Sequence, residues 1–311
     1  MKILVTGCAG FIGSHLVEYL LNNTQHEIIG LDNLDPYYSV EIKQQNLKLL
    51  ENKRFTFLKE DILNTTCILT EKPNVIFHLA SLAGVRNSIE HPTKYARVNI
   101  EAMIRLLEHS REANVEKFLF ASSSSVYGTN TKIPFSETDS IENINSPYAA
   151  SKKAMEVYGK LYNQLYGINV IGFRFFTVYG PRGRPDMAPY KFMSSIINDN
   201  IITKYGDGTS FRDYTYIDDI IQGLVKCFQA NINGYKIYNL GNGDPISLNN
   251  FIKLCEEVTG KRALVKQIDN QLGDVPGTYA DVSNAKKDFG YYPKITFKEG
   301  LFNLYKYLTN I

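Results

Sequence analysis

The sequence predicts an α/β protein built on a doubly wound parallel sheet, with a smaller α/β lobe towards the C-terminus. Three observations carry that prediction. Short apolar runs alternate with longer amphipathic stretches through the first half of the 311 residues, the rhythm of strand–helix–strand units joined by right-handed crossovers. The first run, Ile3-Leu4-Val5, is followed at once by Gly7, Gly10 and Gly13, then by Leu16, Val17, Leu20 and Leu21 at helical spacing. After Pro181 the rhythm breaks and the elements shorten.

The first strand is apolar on both faces, as a covered parallel strand requires. Gly7 permits a sharp turn, Gly10 lets a pyrophosphate approach the backbone, and Gly13 lets helix and strand pack closely. The amides at the helix start, at Phe11 and Ile12, then face the phosphates. The second strand, Ile28–Leu31, ends on Asp32 and Asn33, with Asp32 standing 19 residues after Gly13. A carboxylate there accepts hydrogen bonds from both ribose hydroxyls of an adenosine and repels a 2′-phosphate. Strand, glycine turn, helix and acid together describe a Rossmann-type dinucleotide site and point to NAD.

Further runs at Phe55–Leu58, Val75–Leu79, Phe118–Ala121 and Val170–Phe175 read as strands, and Val40–Leu50, Tyr95–Glu112 and Tyr148–Tyr166 as helices. In such sheets ligands sit beyond the carboxyl ends of the strands, and polar residues fall there. Asp61-Ile62 follows the third strand; the carboxylate suits the adenine amine or a helix cap, and both readings stand. After Leu79, Ala80-Ser81-Leu-Ala-Gly-Val-Arg86 closes the fourth, its small residues letting the backbone lie against a cofactor. Ser122–Ser125 close the fifth; bracketed by Phe118-Leu-Phe120 and Val126-Tyr127, they are not a flexible linker. Beyond Phe175 come a helix at Pro189–Asn198, the run Phe211–Ile217, a helix at Asp218–Ala230, a strand at Tyr235–Leu240, and helices near Leu248–Val258 and Lys298–Leu308. The domain reading is a dinucleotide-binding domain over residues 1–175 and a substrate-binding lobe over 176–311, interleaved with the first and closing over a cleft.

Composition narrows the partners. Apolar residues make up 44%, charged residues 21%, and the net charge is +2 with no Lys/Arg cluster, which argues against nucleic acid. Cys8, Cys67, Cys227 and Cys255 lie far apart, and the five histidines show no ligand spacing. Reduced buried thiols and no metal are expected. The chain opens on a core strand and holds no apolar run of about 18 residues, so a soluble, cytoplasmic protein without membrane contact is expected.

The chemistry centres on Pro147-Tyr-Ala-Ala-Ser-Lys152. Tyr148 and Lys152 stand four apart, on one face at the start of a helix, and no other of the 21 tyrosines has Lys at that spacing. A free tyrosine has a pKa near ~10 and is a poor base at neutral pH. A Lys ammonium and a nicotinamide cation nearby both favour the phenolate. One hydroxyl of the Ser122–Ser125 cluster can then share the proton path.

These motifs, the glycine turn, the serines before Val126-Tyr-Gly128 and Tyr148-x-x-x-Lys152, resemble the extended short-chain dehydrogenase/reductase family in its sugar-nucleotide epimerase/dehydratase branch. The likeness runs the whole length. It implies Ser123 as the catalytic hydroxyl, three positions before the Val of Val-Tyr-Gly, with Tyr148 as base and Lys152 binding nicotinamide ribose and lowering the tyrosine pKa. It also implies that Arg212 binds the nucleotide diphosphate. The 4,6-dehydratases of this branch carry Asp-Glu where this chain has Ser124-Ser125, and the UDP-glucuronate decarboxylases carry Glu at the second position. Without those acids, oxidation and re-reduction at one carbon remain, which is epimerisation.

Several stretches are similar to UDP-glucuronate 4-epimerases in particular: Asp32-Asn-Leu-Asp-Pro-Tyr-Tyr38, Ala83-Gly-Val-Arg-Asn-Ser-Ile89, Arg174 through Ala188 with Thr177 and Arg184, and Gly273-Asp274 through Asp281. Galactose-type epimerases carry Arg where this chain has Gln271. Ser123 stands where Thr is common and Gly277 where Ala is common. The resemblance implies an NAD-dependent UDP-sugar 4-epimerase acting through a 4-keto sugar, with UDP-glucuronate and UDP-galacturonate as the leading pair. Arg184 is the cation suited to the C5 carboxylate, with Ser124 and Ser125 as hydrogen-bonding partners on its other side. UDP-glucose or UDP-N-acetylglucosamine epimerisation is the alternative within enzymes, and a non-catalytic NAD-binding regulator the alternative outside them. The family pairs two helices per chain in a four-helix bundle, so a homodimer is expected. Met103, Leu106, Leu107, Tyr158, Leu161 and Leu165 are the apolar positions offered to it.

Overall fold

The computed structural model describes residues 1–269 and 277–310. The alternation expected from the apolar runs is present: β1 (Lys2–Thr6), α1 (Phe11–Asn23), β2 (Glu27–Leu31), α2 (Val40–Lys48), β3 (Phe55–Leu58), α3 (Cys67–Glu71), β4 (Val75–His78), α4 (Val85–Glu90), α5 (Pro92–Tyr95), α6 (Ala102–Glu112), β5 (Lys117–Ser123), α7 (Pro147–Tyr166) and β6 (Asn169–Phe175). A π-helical segment, Ala96–Glu101, joins α5 to α6, and a 3₁₀ turn, Ser124–Tyr127, follows β5. The remainder comprises β7 (Thr177–Tyr179), α8 (Ala188–Ile197), β8 (Ile201–Tyr205), β9 (Phe211–Tyr216), α9 (Ile217–Gln229), β10 (Tyr235–Leu240), β11 (Pro245–Ser247), α10 (Leu248–Thr259), β12 (Leu264–Ile268), α11 (Ser283–Phe289) and α12 (Phe297–Thr309).

Seven strands form one sheet in the order β10-β6-β5-β4-β1-β2-β3. β1 runs parallel to both neighbours, with Ile3 level with Ile28 of β2 and Val75 of β4. Its Ile3, Leu4 and Val5 are buried on both faces, which is why the run carries no polar alternation. The chain winds outward in one direction from β1 and in the other from β4, so the switch point lies between them, where such sheets take their ligands. β10 lies at the edge beside β6, so a strand from the second half of the sequence completes the first half's sheet.

α7 is bounded as its sequence dictates. Ser146 Oγ accepts the Ala149 amide, Pro147 occupies the first turn, and Gly167 closes the helix in a left-handed conformation at φ +73°. Met155 and Tyr162 of α7 pack with Met103, Leu106 and Leu107 of α6 and with Phe118, Phe120 and Val170 of the sheet. The three α6 residues offered to a second copy are thus fully buried in the chain's own core; the helix has one strong apolar stripe, and the sheet takes it.

Two compact units divide the chain: Met1–Asn130 with Asp139–Phe175 and Val225–Tyr238, and Thr131–Thr138 with Phe176–Leu224 and Asn239–Ile311. The second holds a three-stranded sheet, β11-β9-β7, and a two-stranded one, β12-β8. Its core is aromatic: Tyr214 stacks on Phe297 at 4.7 Å between ring centres and Phe192 on Phe251 at 5.3 Å. Among the described residues no helix is long and apolar enough to cross a membrane.

Candidate active site

The glycine turn after β1 is tied down on one side and open on another. Gly7 adopts φ +73°, and a Cβ there would meet the Ala80 nitrogen at 2.8 Å; a Cβ on Gly13 would meet the Gly7 carbonyl oxygen at 2.1 Å. Those two glycines are required by packing. Around Gly10 the nearest atoms to a Cβ would be the Gly7 oxygen at 3.2 Å and the Tyr38 hydroxyl at 3.8 Å, so this edge of the turn is the accessible one. Gly10 caps α1 without a side-chain bond, and the first-turn amides, Phe11 and Ile12 among them, have no acceptor within the helix. That donor set at a helix N-terminus fits the pyrophosphate of a dinucleotide.

Asp32 is buried at the end of β2. Its two oxygens accept the amides of Ala9, at 3.2 Å, and Leu34, at 2.8 Å. Burial pushes its carboxyl up, opposed by those amides and by Lys43. Each oxygen retains a lone pair, which suits a ribose diol. The exposed Asn33 amide donates to Asp61 Oδ2 at 2.9 Å, and Asp61 Oδ1 accepts the Leu63 amide. Asp61 therefore closes a turn and does not cap α3, whose cap position is Thr66; the neighbouring Ile62 is buried.

The other half of the site forms where β4, β5 and α7 meet. The amides of Leu79 and Ala80 are pinned to Thr6, by its carbonyl and its hydroxyl respectively, each at 3.2 Å. Lys152 is 1% exposed, and its Nζ donates to Ser81 Oγ at 3.0 Å and to the Ala121 carbonyl at 2.7 Å. Burial pushes its pKa down to about 7, with Glu156 acting the other way. Tyr148 is half-buried in the first turn of α7; Lys152 Nζ lies 5.9 Å from its ring centre, and Tyr95 meets it edge-on at 6.2 Å. Ser123 ends β5, accepting the Ser125 amide and donating to Ser125 Oγ at 3.1 Å. Ser124 and Ser125 are half-buried on the 3₁₀ turn. Ser81, Tyr148 and Lys152, spread over 72 positions of sequence, are thus gathered at one sheet end, where Ser123 also finishes β5.

Two contributors escaped sequence reasoning. Asn99, fully buried in the π-helical segment, holds both backbone groups of Leu82 and donates to Ser151 Oγ at 2.9 Å; nothing in spacing marks a π turn in advance. Glu156 and Arg174 form a buried ion pair, and the only signal for it is that Glu156 follows Lys152 by one helical turn.

The remaining expected residues are placed separately. Arg86 is on the exposed side of α4. In the second unit, Thr177 is level with Tyr214 across β7 and β9. Arg212 is half-buried on β9 and donates to the Phe211 carbonyl at 2.8 Å. Its neighbour Asp213, fully buried, accepts the amides of Asn242, Gly243 and Ala280 and so fixes that strand. Arg184 holds Asp186 through Nε at 3.0 Å and Nη2 at 2.6 Å. Asp274, with Gln271 and Gly273, lies outside the described residues.

A parallel sheet with a glycine turn at its switch point and a lysine buried beside a tyrosine one turn earlier is the arrangement of the short-chain dehydrogenase/reductase class. Within that class, residues 3–241 match the NAD dependent epimerase/dehydratase family, and the chain belongs to it. It is 42% identical to Protein CapI of Staphylococcus aureus, over 97% of this chain and 96% of that protein. It is 41% identical to the UDP-glucuronate 4-epimerase of Thermodesulfobacterium geofontis, over 96% and 93% respectively. A crystal structure of a mutant UDP-glucuronic acid 4-epimerase from Bacillus cereus, in complex with UDP-4-deoxy-4-fluoro-glucuronic acid and NAD, superposes with a TM-score of 0.95 at 36% identity, covering 100% of this chain and 99% of that one.

Proposed function

We propose that this chain is an NAD-dependent UDP-sugar 4-epimerase whose substrates are UDP-glucuronate and UDP-galacturonate. The observation that carries the reaction is the buried Lys152 ammonium, held by Ser81 and Ala121 with its charge against the Tyr148 ring. A cation there favours the phenolate and makes Tyr148 a base for the C4 hydroxyl. Ser123 shares that proton. Bound NAD supplies reversible hydride acceptance at C4, with no net redox change. Gly7, Gly10, Phe11, Ile12 and Gly13 would hold its pyrophosphate, Asp32 and Asn33 its adenosine ribose, Asp61 and Ile62 its adenine side, and Leu79, Ala80, Ser81, Tyr148 and Lys152 its nicotinamide half.

Reaction type follows from what stands beside Ser123. Ser124 and Ser125 supply no acid or base for dehydration, so the 4-keto sugar has one exit: to turn about its link to the diphosphate and be reduced on its other face. The substrate reading is supported by the UDP-glucuronate 4-epimerases among the relatives. Arg86, Ser124, Ser125, Thr177, Arg184, Arg212 and Asp274 are the residues proposed to bind the UDP-sugar.

The protein works as a homodimer in the cytoplasm. α7 turns Val157, Leu161 and Leu165 outward at 56, 39 and 60% exposure, an apolar stripe at helical spacing that a second copy's helices would cover in a four-helix bundle. The four cysteines are buried as thiols, which suits a reducing compartment.

The deciding experiment incubates purified protein with UDP-glucuronate, UDP-glucose and UDP-N-acetylglucosamine separately, without added oxidant, and follows each by proton NMR. UDP-glucuronate should run to an equilibrium mixture with UDP-galacturonate. Turnover of a neutral sugar in its place would overturn the substrate, and turnover of none would overturn the reaction.

A further inference from the structure

The Tyr148–Lys152 face of α7 continues one turn further to Glu156. Residues at this spacing share a helix face, and Glu156 is buried like the lysine, at 5% exposure against 1%. Its carboxylate is fully engaged: Arg174 of β6 reaches it through Nε at 2.9 Å and Nη2 at 2.8 Å, and Ser122 Oγ donates to it at 2.6 Å. Arg174 is itself 3% exposed, with its guanidinium 4.9 Å from the centre of the Tyr127 ring. A buried ion pair is a poor stabilising device, since apolar residues of the same volume often do as well or better. Its location asks for another role.

Two features of the geometry supply one. Lys152 binds the Ala121 carbonyl and Glu156 binds the next residue's hydroxyl, so two charges on α7 grip consecutive residues of β5 just before Ser123. The second feature is charge. The titratable and charged groups around Lys152 are Tyr148 and Glu156 on α7, His78 on β4 and Arg174 on β6, with Tyr127 on the 3₁₀ turn and Tyr235 on β10 behind that pair. β5 and the loop after β4 contribute a carbonyl and a hydroxyl. His78 is pushed down to about 3 by burial and then by Lys152, so it is neutral at working pH. Glu156 is the carboxylate of this set, one helical turn from Lys152 and paired on its other side with Arg174.

We infer that Glu156 is a positioning residue for the active-site lysine: clamped by Arg174 and Ser122, it keeps the Lys152 ammonium charged and fixes the end of β5 that carries Ser123. The inference rests on the reading of Tyr148 and Lys152 as the proton-handling pair. Burial drives Lys152 towards the neutral amine, and a neutral lysine no longer favours the phenolate. Glu156 opposes that drift, and Arg174 and Ser122 hold its carboxylate in place.

The test measures Lys152 itself. In protein carrying ¹³C-labelled lysine ε-carbons, the Lys152 signal is assigned by its loss in Lys152→Met and titrated by NMR. Glu156→Gln keeps the hydrogen-bonding shape and removes the charge; the Lys152 midpoint should fall by about one pH unit or more. Arg174→Met releases the Glu156 carboxylate from its clamp and should lower the midpoint too, so the inference is testable even where Glu156→Gln folds poorly. Glu156→Asp restores the charge and should return the midpoint close to the parent value. The alkaline limb of the turnover profile should follow the same order. A Lys152 midpoint unmoved in folded Glu156→Gln, or unmoved or raised in folded Arg174→Met, overturns the inference. These shifts in a protein that turns over no UDP-sugar would uphold the lysine's control and overturn the epimerase reading alone.

Discussion

The amide of Ala9 donates to Asp32 Oδ2 across 3.2 Å, so the glycine turn and the end of β2 are held by one carboxylate. The same group would meet the adenosine ribose, which gives Asp32 two duties. Asp32→Ala should weaken NAD about 10- to 100-fold, the loss of one or two hydrogen bonds to a charged group, and narrow the preference over NADP. Calorimetric titration with both cofactors measures this. Equal affinity of the parent protein for the two would show that Asp32 is not at the ribose.

Tyr148→Phe keeps the ring against Tyr95 and removes the hydroxyl. Turnover should fall by ~10²–10⁴, the usual contribution of a general base, while NAD binding, followed by protein fluorescence, stays close to the parent's. Epimerisation near the parent rate would rule Tyr148 out as the base.

How much of this was legible in the sequence depends on the kind of constraint. The β1–glycine–α1 turn was readable because a close approach of backbones admits only glycine, and the 2.1 Å that a Gly13 Cβ would leave is the structural form of that rule. Tyr148 and Lys152 were readable because helix geometry turns a spacing of four into proximity. Contacts made by sheet register were not. Ser122 is level with Arg174 only through the pairing of β5 with β6, and no pattern in either run announces it. β7, β8, β11 and β12 are only three to five residues long. Leu264 and Val265 of β12 are 51 and 44% exposed, so that strand lacks the alternation that a half-buried one shows. Met103, Leu106 and Leu107 were legible as an apolar stripe, but not as to which surface would take it.

His78 is fully buried with its Nδ1 2.8 Å from Thr6 Oγ1. Burial, then the Lys152 charge, pushes its pKa from 6.5 down to about 3. The folded value lies below the unfolded one, so the unfolded chain takes the proton first. Stability from the neutral ring is therefore complete above pH 6.5 and is lost as the pH falls towards 3. Between neutrality and about pH 5 the parent should lose about 2 kcal/mol more than His78→Gln, read from urea unfolding at each pH. The same pH dependence in both proteins would show that His78 is not held neutral.

Leu161 is 39% exposed on α7 between Val157 and Leu165. In a dimer built on that stripe, Leu161→Glu places like charges at the two-fold contact without touching the chain's own core. Light scattering at micromolar concentration should then give a dimer for the parent and a monomer for the variant, with circular dichroism unchanged. A monomeric parent would remove the four-helix bundle.

Arg184, the residue proposed to take the substrate carboxylate, is paired with Asp186 in the free protein. The guanidinium meets both oxygens of Asp186 in the side-by-side geometry a hexuronate would offer. Asp186 is half-exposed and Arg184 largely covered, at 47 and 18% side-chain exposure. An ion pair with a half-exposed partner is worth only ~0–1 kcal/mol, so on the proposed reading a substrate carboxylate would displace Asp186 at little cost. Arg184→Ala leaves that substrate charge without its partner and should cost about 2–5 kcal/mol in kcat/KM for UDP-glucuronate. Binding of UDP-glucose, which has no charge at C5, should change far less. Asp186→Ala separates the two roles of the arginine. If Arg184 serves the substrate, the KM for UDP-glucuronate holds steady or falls, because a competitor has gone. If Arg184 only braces its loop, Asp186→Ala and Arg184→Ala impair both sugars alike, and the assignment of the carboxylate to Arg184 fails.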